Sequence, residues 1–188
     1  MSKNNSKPSL RATLWKALSL DANFYENARS TAKTRRIARI IVILAAVSHV
    51  LGSAVILLIN RASLTGFVIA LLLDGISVVG GYYFWTFTIW QIGQWFKPNH
   101  VTYRELLIPI GFAYAPQVLN FLTLIPLLGK LIERVLSIWS LLTVIVAVRQ
   151  GLDINTNWAA LICLVGWPLI QLAIALVQVL EQQLIRHI

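Results

Sequence analysis

The chain has 188 residues, 57% of them apolar and only 12% charged, where a soluble domain carries about 25% charged residues. That composition excludes a disordered chain, disfavours a soluble globular domain and points to an integral membrane protein. The net charge of +9 comes from 16 Lys and Arg against 7 Asp and Glu, and the excess gathers near the amino terminus.

Residues 1–36 form a basic arm. They hold Lys3, Lys7, Arg11, Lys16, Arg29, Lys33, Arg35 and Arg36 against Asp21 and Glu26 alone. Such asymmetry suggests anionic lipid or nucleic acid as a partner, with Lys33, Arg35 and Arg36 as the residues that face lipid or partner. No nucleic-acid-binding fold fits the pattern, so nucleic acid is not an expected partner. Within the arm, Leu10, Leu14, Trp15 and Leu18 fall toward one side of a helix while Arg11 and Lys16 fall elsewhere. This pattern predicts a short amphipathic helix lying in the headgroup layer.

Five apolar stretches come next, at residues 37–59, 64–92, 106–124, 131–148 and 158–180. The first is about 34 Å long as a helix and can cross a ~30 Å hydrocarbon core. It begins only at residue 37 and is longer than a cleavable signal core, so the chain is expected to keep its amino terminus. The second exceeds a perpendicular span, which predicts tilt, a kink at Gly80–Gly81 or a projecting end. The third contains Pro109 and Pro116 and is expected to be broken. Residues 37–188 therefore read as one transmembrane domain of five helices.

Orientation follows from the cations. With the amino terminus inside, 12 Lys and Arg lie inside and 4 outside, which predicts an N-in, C-out topology. Trp85, Trp90, Trp95 and Trp158 suit an interfacial aromatic belt, while Trp139 and Trp167 read as packing residues.

Ionisable residues inside spans are functional candidates. His49 lies ten residues before Ile59, and Asp74 lies ten residues after Leu64. Antiparallel helices joined by a tight turn set both at one depth. A lone carboxylate there costs about 2.5–3.5 kcal/mol, which a partner offsets in part. A His49–Asp74 contact is therefore expected, structural in the plain reading and a proton or ion relay in the sharper one. Ser77-x-x-x-Gly81 and Gly111-x-x-x-Ala115 have the spacing of close helix contacts.

Enzymatic chemistry finds little support. His49 and Ser53 stand four apart, but no third orienting group accompanies them. His49, His100 and His187 fall at three different depths, so no metal site forms from them. Cys163 is alone and sits in an apolar run, where a thiol packs as a small hydrophobe. Phosphate-loop and dinucleotide fingerprints are missing, and no cofactor is expected.

The second half carries an ordered set of motifs. Gly111-Phe112-Ala113-Tyr114-Ala115-Pro116 is followed by Ile125-Pro126-Leu127-Leu128-Gly129, then Ile138-Trp139, then Ala147-Val148-Arg149-Gln150-Gly151-Leu152-Asp153. With Leu20-Asp21-Ala22-Asn23-Phe24-Tyr25-Glu26 ahead of the first span, this order resembles bacterial members of the Yip1 family over roughly residues 18–170. The resemblance implies a five-helix, multi-pass protein of a bacterial membrane with no catalytic residue. It gives Tyr114, Pro116, Pro126, Gly129, Trp139, Arg149 and Asp153 structural roles: Pro116, Pro126 and Gly129 shape the third span and its turn, and Arg149 and Asp153 organise an inner loop. Eukaryotic members bind Rab GTPases through a longer arm with an Asp-Leu-x-Gly-Pro stretch. This chain lacks that stretch, so a GTPase is not an expected partner.

The sequence thus predicts an all-α bundle of five spans. Its leading function is a non-enzymatic scaffold or adaptor that binds membrane protein partners or anionic lipid. The alternative is a small transporter or channel working through the His49–Asp74 region.

Overall fold

The structure is a computed structural model that describes residues 9–28, 31–59, 61, 63–96, 101–125, 127–166, 172, 176 and 179. Among them every regular element is helical. Helix α1 is Leu10–Leu18, α2 is Ala22–Glu26, α3 is Ala32–Ile59 and α4 is Leu64–Phe96. Then come α5 at Tyr103–Ala113, a 3₁₀ segment at Ala115–Leu124, α6 at Gly129–Gly151 and a shorter α7 at Thr156–Gly166.

Four stretches are long and apolar enough to cross a bilayer: Ala32–Ile59, Leu64–Trp95, Tyr103–Leu124 and Gly129–Gly151. For the expected fifth, α7 supplies the first part, and most of the chain after Gly166 lies outside the described residues. Helix α3 starts at Ala32, where Thr31 and Thr34 exchange hydrogen bonds between hydroxyl and amide at 3.0 and 3.2 Å. Lys33, Arg35 and Arg36 therefore sit on its opening turns. Helix α4 runs unbroken through Gly80 and Gly81 for 33 residues.

The arm packs onto the bundle. Ser9 caps α1 by accepting from the Ala12 amide at 3.2 Å. Leu20 takes a left-handed φ of 57°, and the Leu20 and Asp21 amides donate back to the Ala17 and Lys16 carbonyls. That is the pattern of a Schellman stop. Asp21 then caps α2 through bonds from the Asn23 and Phe24 amides. Leu10, Leu14 and Leu18 pack on the core, with Thr13 and Ala17 fully turned into it. Trp15 does not join them and is 74% exposed. At 100° per residue it stands about 100° around the helix from Leu14 and about 60° from Leu18. The Leu10, Leu14 and Leu18 stripe of α1 therefore covers protein, and of the expected apolar face only Trp15 is left largely exposed.

Two contacts fasten the arm to the bundle, and a third ties its own helices together. The Trp139 indole on α6 donates to the Leu18 carbonyl at 3.1 Å. The Phe24 ring sits 5.1 Å from Phe112 of α5, centre to centre. Tyr25 is buried, and its hydroxyl reaches the Ala17 carbonyl at 3.4 Å. Burial pushes the Tyr25 phenol well above its ordinary range, so it stays neutral.

Helix α5 is the hub. Leu106 and every residue from Ile108 to Ala113 are buried. A Cβ on Gly111 would lie 2.9 Å from the Ala38 Cβ and 3.3 Å from the Tyr82 hydroxyl, so its missing side chain sets how closely α3 and α4 approach. Of the two prolines, Pro109 stays inside α5, and the break comes at Tyr114 with Pro116 in the first turn of the 3₁₀ segment. The groups freed there find partners elsewhere. Thr143 on α6 places its hydroxyl 3.1 Å from the Ala113 carbonyl. Ser48 on α3 accepts from the Phe121 amide at 2.8 Å. A broken span is tolerated in apolar surroundings only when neighbours satisfy it in this way.

Trp85 is a core residue, not a belt residue. It is 5% exposed, and a Cβ on Gly166 of α7 would lie 2.9 Å from its ring. Cys163 is buried in the same core. Trp95, by contrast, is 74% exposed.

Candidate functional site

The site grows from the amino-terminal turns of α3. Arg35 and Arg39 are four residues apart and so share one face of that helix. Arg104 comes from the first turn of α5, which Thr102 and Glu105 position. The Glu105 carboxylate accepts from the Thr102 amide at 2.9 Å and from its hydroxyl at 2.7 Å. Those bonds commit the acid to the helix cap.

Arg35, Arg39 and Arg104 line one cavity of about 270 Å³. Tyr82, Tyr83, Ala38, Leu107 and Ile108 complete its wall. The wall is rigid. The Tyr82 hydroxyl donates to the Leu107 carbonyl at 2.6 Å, and the Tyr103 hydroxyl donates to the Tyr83 carbonyl at 3.1 Å. All three arginines are exposed, and among the described residues no carboxylate lies within ion-pair distance of their guanidinium groups. Guanidinium groups present planar forks of donors suited to carboxylate and phosphate. The arrangement can hold an anion.

The other expected residues sit elsewhere. His49 and Asp74 are close to level, since a Cβ on Gly75 would lie 3.5 Å from Val50. The predicted contact between them is nevertheless not made: among the described residues no hydrogen bond or ion pair joins them. His49 is exposed on the outer face of α3, while Asp74 is half-buried. Neither lines the arginine cavity. Lys33 and Arg36 stand on the same helix end as Arg35 but outside its lining.

The motif residues of the second half occupy turns and contacts. Tyr114 ends α5 and meets Tyr82 edge-on at 5.5 Å. Gly129 opens α6 where a Cβ would run into the Thr123 carbonyl oxygen. The Arg149 carbonyl accepts from the Ile154 amide at 3.1 Å, with Asp153 between them at a left-handed φ of 50°. Pro126 lies outside the described residues, as do His100, Trp167 and His187.

Sequence reasoning found Arg35 but missed Arg39, Arg104, Tyr82 and Tyr83. The four-residue spacing of Arg35 and Arg39 was a usable signal. Nothing local tied Arg104 to them, because that meeting depends on how α5 packs on α3.

Comparison with known proteins gives no match to any family model, to any curated protein or to any solved structure.

Proposed function

We propose that this chain is a non-enzymatic, five-span membrane scaffold, oriented N-in and C-out, that holds an anionic partner at its inner end. The observation that carries the reading is the fastened arm. Trp139 and Phe112 pin α1 and α2 to the bundle, and the buried Tyr25 ties the two arm helices to each other. Lys33, Arg35, Arg36 and Arg39 consequently project from one rigid helix end. A rigid, basic surface is what an adaptor needs to orient a partner, since little ordering entropy remains to be lost on binding. The excess of cations on the proposed inner side supports the orientation. The ordered motifs that resemble the Yip1 family support the same class of protein.

The test is in-membrane crosslinking followed by mild-detergent affinity purification and mass spectrometry. A stoichiometric membrane protein partner is expected with the wild type and lost with Lys33→Gln/Arg36→Gln. Equal recovery from both, or recovery of this chain alone, would overturn the adaptor role.

A further inference from the structure

We infer that the cavity between Arg35, Arg39 and Arg104 is a receptor for the phosphate of an anionic phospholipid headgroup. The inference deepens the scaffold reading and rests on its anionic-partner half.

Charge comes first. Three arginines, two from α3 and one from the first turn of α5, line one cavity. Glu105, the acid nearest Arg104 in sequence, is bonded to Thr102. Cations crowded without a counter-charge repel one another, and an anion seated among them relieves that repulsion. Arginine is the residue suited to this role, because its fork bonds two phosphate oxygens at once.

Depth comes second. A bilayer core of ~30 Å takes about 20 helical residues. Counted from the turn between α3 and α4, that distance ends beside Arg39 on α3 and at Tyr83 on α4. The cavity therefore falls at the edge of the hydrocarbon, where headgroup phosphates lie. Basic pockets between spanning helices at this level bind lipid headgroups.

Shape comes third. About 270 Å³ accommodates a headgroup rather than a whole lipid. Ala38, Leu107 and Ile108 give the cavity an apolar side, along which ester carbons and the start of an acyl chain can lie. A soluble phosphate makes no use of that wall. The Tyr82 hydroxyl is already bonded to Leu107, so the arginines carry the recognition.

The test uses the full chain purified in detergent and exchanged into nanodiscs of phosphatidylcholine with or without phosphatidylglycerol. Lipid retained on release into the gas phase is counted by native mass spectrometry. Wild type is expected to retain phosphatidylglycerol in preference to phosphatidylcholine. Arg39→Gln/Arg104→Gln is expected to weaken that retention about tenfold. Arg39→Lys/Arg104→Lys keeps the charge but not the fork, and is expected to fall between. Lys33→Gln/Arg36→Gln lies outside the cavity and should leave retention unchanged. All substituted side chains are exposed, and circular dichroism checks that each variant is folded. No preference for the anionic lipid, or equal retention by wild type and the Gln pair, would overturn the site. Inorganic phosphate added in competition separates the sources. Displacement of lipid only at large excess supports a lipid headgroup, whereas phosphate binding without lipid retention overturns it. Selective lipid retention by wild type with no protein partner recovered would overturn the scaffold reading alone, and a partner recovered without selective lipid retention would overturn the site alone.

Discussion

Single atoms decide several positions. Gly129 and Gly80 are both glycines of apolar helices, yet they should respond in opposite ways to alanine. At Gly129 the new Cβ meets the Thr123 carbonyl oxygen, which is backbone and cannot swing aside. Gly129→Ala should cost about 1–3 kcal/mol, as overpacking does. At Gly80 nothing lies within 4 Å of the new Cβ, and the residue is in the interior of α4. Gly80→Ala should be neutral or stabilise by about 0.5–1 kcal/mol through reduced backbone entropy. Thermal unfolding in one detergent checks the pair, and a common direction of shift would refute the contrast. Ser48 shows the same dependence on single contacts. Its hydroxyl supplies the acceptor for the Phe121 amide across two elements, in a position where an orphaned amide costs about 1–3 kcal/mol.

At the scale of elements, the third span and the arm depend on borrowed partners. The 3₁₀ segment at Ala115–Leu124 runs for ten residues, longer than that geometry usually sustains. Ser48 on α3 holds the segment at Phe121, and Thr143 on α6 holds the end of α5 just ahead of it. The arm relies on Trp139 in a similar way. Trp139→Phe keeps the ring but removes the donor to the Leu18 carbonyl. Limited proteolysis should then cut between residues 10 and 28 faster than in wild type, while the bundle resists as before. An unchanged cleavage rate would mean that the apolar stripe of α1 and the Phe24–Phe112 contact hold the arm unaided.

Across the described residues of the whole molecule, the long helices carry stripes of large aliphatic residues that face outward. Ile43, Val47 and Leu51 on α3 are exposed, as are Leu64, Val68, Leu72 and Ile76 on α4, and Leu131, Val135, Ile138 and Leu142 on α6. Small residues such as Ala38, Ala45, Ala113 and Ala147 pack inside. A soluble protein does not carry exposed apolar stripes of that extent, whereas lipid solvates them without penalty. The proposed orientation gives a direct measurement. Cys163 is fully buried and should give little background with a membrane-impermeant maleimide. Arg61→Cys should label in intact cells, and Arg149→Cys only after lysis. The reverse pattern would invert the topology.

Much of this was legible without coordinates. Low charge and long apolar runs dictate spanning helices, because a backbone in hydrocarbon must satisfy its own hydrogen bonds. The apolar stripe, the caps and the proline break are equally local, since each depends on residues a few positions apart. Level placement of His49 and Asp74 followed from counting along two helices joined by a short turn. Their failure to bond did not, because helix rotation turns His49 outward and is set by packing. The same applies to Trp15 and Trp85, whose composition suits an interface but whose faces are chosen by neighbours. The arginine cavity is the clearest case. The cations could be read along the chain, but their convergence needed Gly111 to admit Ala38 and bring the start of α5 beside α3. Periodicity and hydropathy act over a turn or a span, so the sequence by itself determined the elements and their solvent; contacts between residues some 65 positions apart were decided only by the tertiary structure.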